Sequence, residues 1–247
     1  MKSLLLLVII GTLTASQGAQ VAERFAAQQR SVSSIIVDTL ESMKVQMVDG
    51  WEQFGIPPLA PLKISHKDFN YESGEIFANG EFDALEVNGL NEFEIKVMDA
   101  NLVISRIKYE LVFASLNVTT QYKANVGAGY QLARDGGAFL ALENLRVYGQ
   151  IKYSTGLGGS NYFRIKELQV NIAVDKVVSN IENLSKYRIL NRKLNEIVEE
   201  FVNITINENT KLVADWIDTT VTPVCNDFIG DRTIKDLLDI INGGGSN

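Results

Sequence analysis

The chain offers few residues with which to make or break bonds. Of its 247 residues one is histidine, His66, in the polar run Ser65-His66-Lys67-Asp68. A Ser-His-Asp triad would have to take its base from that residue, and a metal site with several imidazoles is impossible. An exposed strand or loop histidine is the expectation. No serine stands in a Gly-x-Ser-x-Gly elbow. The stretch Gly156-Leu-Gly-Gly-Ser160 lacks both a phosphate-loop lysine and the Gly-x-Gly-x-x-Gly spacing of a dinucleotide fingerprint. Glu199 and Glu200 fall in a helical pattern and read as solvated. These residues predict a protein that is not an enzyme and uses no cofactor and no metal. What remains is apolar surface, and the elements that must present it.

The first residues, Met-Lys-Ser and then Leu4–Ile10, form a short basic and apolar segment, with Ser16 and Gly18 at the −3 and −1 positions of a cleavage site. Residues 1–18 read as a secretory signal peptide, because the apolar run is too short to span a bilayer. No later run approaches twenty apolar residues, so no integral membrane segment is expected, and the product is secreted into the extracellular space. Removing 18 of 247 residues leaves 229, read as one domain over 19–247. Its hydrophobic content of 46% suits a globular core. The net charge of −7, or −8 without Lys2, argues against nucleic acid as a partner. Lys186, Arg188, Arg192 and Lys193 do group together, and read as a solvated helix start rather than a headgroup site. Cys225 is the only cysteine, so the fold holds without an internal disulfide. Its thiol is expected to be buried, with an intermolecular disulfide as the alternative. Sequons at Asn117, Asn183 and Asn203 are candidate glycan acceptors.

Apolar residues at Val21, Phe25, Val32, Ile36, Leu40, Met43 and Met47 step by three, four or seven and predict a helix over 19–49. Residues 50–61 follow as a connector, and in Gly55-Ile-Pro-Pro-Leu-Ala-Pro-Leu62 lie three of the chain's four prolines. So apolar and proline-rich a stretch is stiff and extended rather than helical or a central strand. Over 62–175 the period changes to two, as in Phe93, Ile95 and Val97 or Leu168, Val170, Ile172 and Val174. This predicts an antiparallel meander with one apolar face. Asp135-Gly136-Gly137 and Gly156–Asn161 are expected as hairpin loops. The run Ile107–Val126, free of Gly and Pro, predicts an unusually long strand with a bulge near Asn117. A long helix over 187–222 and a short one over 231–242 complete the order.

The fold class is therefore α+β: a long curved antiparallel sheet wrapped around a long C-terminal helix, with an additional N-terminal helix. Sheet and helix each cover the other's apolar side, and the space left between them would be a lipid-sized groove.

The order of elements, the Gly55–Leu62 connector and the opening Gly89-Leu90-x-x-Phe93-x-Ile95 resemble the arthropod takeout and juvenile-hormone-binding proteins. The segment from Val87 to Val103 is also similar to the group 7 mite allergens. Both groups belong to the tubular lipid-binding superfamily with the bactericidal permeability-increasing proteins. The resemblance implies a super-roll of sheet around a helix, with a tunnel for a hydrophobic ligand. Takeout and hormone-binding members usually carry a cysteine pair near the mature N-terminus. Gln20–Trp51 here has none, which favours the allergen-like branch. The expected function is a soluble carrier of a hydrophobic small molecule (fatty acid, terpenoid or other lipid). Its expected lining is Phe93, Ile95, Leu111, Phe113, Val170, Ile172, Phe201 and Trp216. Recognition of bacterial lipids or lipopeptides in innate immunity is the alternative.

Overall fold

The computed structural model describes residues 32–50, 57–74, 76–128, 131–155 and 162–208, together with 222, 226, 229–233 and 236. The leader, the helix start at 19–31, the Gly156–Asn161 loop, Trp216 and Cys225 lie outside the described residues, as do residues 209–221 and most of 231–242.

Helix α1 runs over 32–49 and stops where Gly50 turns to φ 76° and donates its N–H to the Gln46 carbonyl. The connector then folds back, because the amides of Leu59 and Ala60 both bond to the Met47 carbonyl. Seven strands follow: β1 Leu62–Ser73, β2 Ile76–Asn88, β3 Phe93–Asn101, β4 Arg106–Ala128, β5 Gln131–Thr155, β6 Phe163–Ala173 and β7 Lys176–Ile181. Helix α2, Arg188–Glu208, comes next. Strand pairing thus continues six residues beyond the expected end at 175.

All pairings belong to one antiparallel sheet built on two long strands. β4 and β5 stay in register from Gly127 opposite Gln131 to Arg106 opposite Lys152, about 75 Å of strand if straight. Each outer side of this pair is shared by two shorter strands. β2 flanks residues 117–128 of β4 and β3 flanks residues 106–113. On the far side β7 flanks 138–143 of β5 and β6 flanks 146–155. The β2–β3 and β6–β7 breaks therefore meet β4 and β5 at one level, a transverse crease crossed only by the central pair.

Two expectations about the strands change. Register shifts fall in β2 between Asp83 and Glu86, where Ala84 takes φ 50°, in β3 between Ile95 and Val97, and between β5 and β6 at Lys152–Tyr153, while β4 keeps one register with β5 past Asn117. Asp135-Gly136-Gly137 is not a hairpin loop; it lies inside β5. These glycines are needed because the turn after β7 lies over them. Glu182 donates its N–H to the Gly137 carbonyl, and a Cβ on Gly136 would come 3.1 Å from Glu182 Cβ.

The helices close the sheet's open edges. α1 follows β3: the Ala100 amide donates to Ser33 Oγ at one end, and Lys44 Nζ lies 4.6 Å from the Phe93 ring centre at the other. α2 caps the free edge of β7 with a polar row at steps of four. Asn195 accepts from the Ile181 N–H at 2.7 Å and returns a bond to the Ile181 carbonyl. Glu199 accepts from the Ser179 N–H at 2.7 Å, so unlike exposed Glu200 it is not merely solvated. Asn207 bonds both main-chain groups of Val174, and Asn191 bonds the Ile181 carbonyl. Side chains thus satisfy a strand edge that would otherwise be open.

Candidate functional site

The interior face of the sheet is apolar on both sides of the crease, but different residues supply it on each side. In β4 it is lined by odd positions as far as Phe113 and by even positions from Leu116. In β5 it is lined by Leu140 and Leu142, then by Leu145 and Val147. The parity changes around Asn144, which takes φ 51°. Strand side chains alternate faces, so one such irregularity exchanges inside for outside along everything beyond it.

Phe93, Phe113, Leu116, Leu145, Val174 and Val177 form the buried heart of this face. Ile95, Leu111, Val147 and Ile172 from the sheet pack on it, with Leu40 and Met47 of α1 and Val202 and Ile206 of α2. Phe93 and Phe113, paired in register, hold their rings 5.7 Å apart. Yet no large side chain among the described residues is completely enclosed. The face is covered but not packed shut.

Of the expected lining residues, Phe93, Ile95, Leu111, Phe113 and Ile172 come together in this cluster. Val170 is buried on β6 beside them, opposite Gly149. Phe201 is not in the cluster: it is 64% exposed, in a row of α2 with Leu190, Ile197 and Ile204. That row adjoins the one bearing Val202 and Ile206, so α2 carries an apolar arc wider than the sheet covers. Sequence reasoning missed Leu116, Leu140, Leu142, Leu145 and Val177. Leu116 falls out of phase with Phe113, and that phase change was the available signal.

Two tyrosines bracket the crease on the same face. Tyr109 stands opposite Gly149 and donates its hydroxyl to the Gln169 carbonyl at 2.9 Å. Tyr122 stands opposite Gly136 and donates to the Glu182 carbonyl at 2.5 Å. Burial pushes the Tyr109 hydroxyl up to about 12, so it is a neutral donor throughout the physiological range.

On the outer face His66 is exposed, as expected, with Nδ1 2.7 Å from Asp83 and Nε2 3.3 Å from Asp68. Its pKa is raised above 6.5, chiefly by the Asp83 hydrogen bond. The sequon asparagines occupy three settings. Asn117 is half-buried on β4, exposed Asn183 donates to the Asp135 carbonyl in the turn after β7, and Asn203 accepts from Asn207 on α2.

The interior face is thus a broad apolar surface backed by two helices. The sequence matches the model of the haemolymph juvenile hormone binding protein (JHBP) family over residues 4–239. The chain belongs to that family. Among solved structures the crystal structure of Epiphyas postvittana Takeout 1 matches with TM-score 0.55 and 14% identity, covering 79% of this chain and 92% of that one. At that identity the likeness shows the fold, a takeout-like roll. A crystal structure of lipopolysaccharide binding protein overlaps at TM-score 0.35 and 9% identity, over 78% of this chain and 39% of that one. So loose an overlap carries no argument. No curated protein matches significantly by sequence. Both the family and the Takeout match fall on the takeout and hormone-binding side of the resemblance. This chain is thus of a lipid- or hormone-binding carrier kind, in a family of binding proteins. No helix among the described residues is long and apolar enough to cross a membrane.

Proposed function

We propose that the chain is an exported carrier that holds a hydrophobic small molecule (a fatty acid, terpenoid or other lipid) between the interior face of the sheet and α2. The observation that carries this is the interior face itself, apolar on both sides of the crease yet nowhere completely enclosed. Affinity comes from excluding water, at about 0.8 kcal/mol per buried CH₂, so few polar contacts are needed. Phe93, Ile95, Leu111, Phe113, Val170 and Ile172 form the sheet wall, with Phe201 on the uncovered row of α2. The chain performs no catalysis and needs no cofactor.

Asn183 and Asn117 are the sequons at which a glycan fits this fold. A glycan on Asn203 would stand within the polar row that holds α2 to β7.

Native mass spectrometry of the secreted protein, with extraction and identification of bound molecules, tests the carrier reading. A stoichiometric lipid is expected, and Ile172→Asp should abolish uptake of a fluorescent fatty acid while the chain stays folded. An empty protein that takes up no such probe would refute it.

A further inference from the structure

Of the four exposed cations at the start of α2, three line clefts. Lys186 lines two adjoining clefts, one of about 610 Å³ with Arg134, and one of about 530 Å³ with Arg188 and Arg192. The first cleft is formed where the beginning of β5 meets the turn before α2, and Leu132, Tyr187 and Leu190 supply its apolar side. Asp135 and Glu182 also line the two clefts, so four cations stand against two carboxylates. In a chain of net charge −7 this is a local reversal of sign.

The cations are available. Arg134 is fixed by bonds from Nε to the Leu184 carbonyl and from Nη1 to the Ala133 carbonyl, neither of which neutralises it. Among the described residues no carboxylate pairs with Arg134, Lys186 or Arg188. Arg192 has only Glu196 at 3.8 Å, and Glu196 is engaged at 2.5 Å by Lys193.

Leu190 belongs both to the first cleft and to the uncovered apolar row of α2. From Leu190 that row continues through Ile197 and Phe201 to Ile204, about 21 Å along the helix axis. A cationic cleft thus opens directly onto an apolar track as long as an extended acyl chain.

The geometry points to a single-chain amphiphile with an anionic head, carboxylate or phosphate, as the ligand. The head sits among Arg134, Lys186 and Arg188, where charge-assisted hydrogen bonds hold it, and the chain lies along Leu190, Ile197 and Phe201. This rests on the carrier reading and names the ligand class within it.

The test measures binding of palmitate, hexadecyl phosphate, hexadecanol and inorganic phosphate to the full mature chain and to its Lys186→Glu/Arg188→Glu variant. The mature chain is expected to bind at least one anionic amphiphile about tenfold or more tightly than hexadecanol. The variant should lose that preference while binding hexadecanol within about twofold of the parent. Raising the salt should weaken the anions and leave the alcohol unchanged. Equal binding of all three sixteen-carbon probes would overturn the head site and leave the carrier standing. So would a preference that survives in the variant, or inorganic phosphate binding as tightly as hexadecyl phosphate. No binding of any chain-bearing probe would overturn both readings.

Discussion

Asn195 is the residue at which the attachment of α2 to the sheet can be measured. Only 7% exposed, it fills both main-chain groups of Ile181 and accepts from Ser179 Oγ at 2.9 Å. Asn195→Ala removes all of these at once. The Ile181 N–H is left without a partner at a half-buried strand edge, at about 1–3 kcal/mol, while its carbonyl keeps the bond from Asn191. Alanine's better helix propensity returns about 0.5 kcal/mol. The expected net loss is about 2 kcal/mol, which for a chain of this size lowers the melting temperature by about 4–8 °C. Equilibrium urea unfolding is the assay, with Glu200→Ala as the exposed control, expected within about 0.5 kcal/mol of the parent. Native-state hydrogen exchange should show the Ile181 amide losing protection first. A loss below about 1 kcal/mol with Ile181 still protected would refute the reasoning, because the polar row would then be a surface feature rather than the clasp between α2 and β7.

Asn144 tolerates its φ of 51° because asparagine enters the left-handed region readily. Asn144→Gly should change stability little, whereas Asn144→Val should cost about 1–3 kcal/mol by thermal melting. Gly149→Ala places a Cβ 1.9 Å from the Gln169 carbonyl oxygen, so β5 and β6 must part locally. Loss of exchange protection over β6, with β7 unaffected, is the expected result. As the only histidine, His66 gives an isolated imidazole signal for NMR titration, which should report a pKa above 6.5. Asp83→Asn should bring it down. Because the folded value is raised, the pair's stabilisation is fully present below 6.5 and is lost as pH rises through the folded value.

The period-two pattern over 62–175, the helical stripe through Leu40 and Met47 and the wide apolar arc of α2 all lie in the sequence. They are enough to pose a sheet covered by helices. The lower half of the interior face was equally legible, because Phe93, Ile95, Leu111 and Phe113 keep one parity. The upper half was not. Reading on from Phe113 at steps of two puts Ser115 and Asn117 inside and Leu116 outside, and only that misplaced leucine signals the slip opposite Asn144. Gly136-Gly137 misled for a related reason: glycine signals a turn or a close approach equally, and only the partner, Glu182, tells them apart. The asparagines of α2 look solvated in one dimension, since their partners on β7 are set by tertiary contact.

The crease has a mechanical consequence. Bending a sheet lengthwise normally strains every ladder that crosses the bend, but here five of the six ladders end at that level. Only the β4–β5 ladder must flex. Bending there costs few main-chain hydrogen bonds, and what holds the two ends at a fixed angle is the side-chain packing across the crease, Phe93, Phe113 and Leu145 against Leu116 and Val177. A change of angle at residues 113–117 and 143–146 would therefore be felt first as repacking of that cluster.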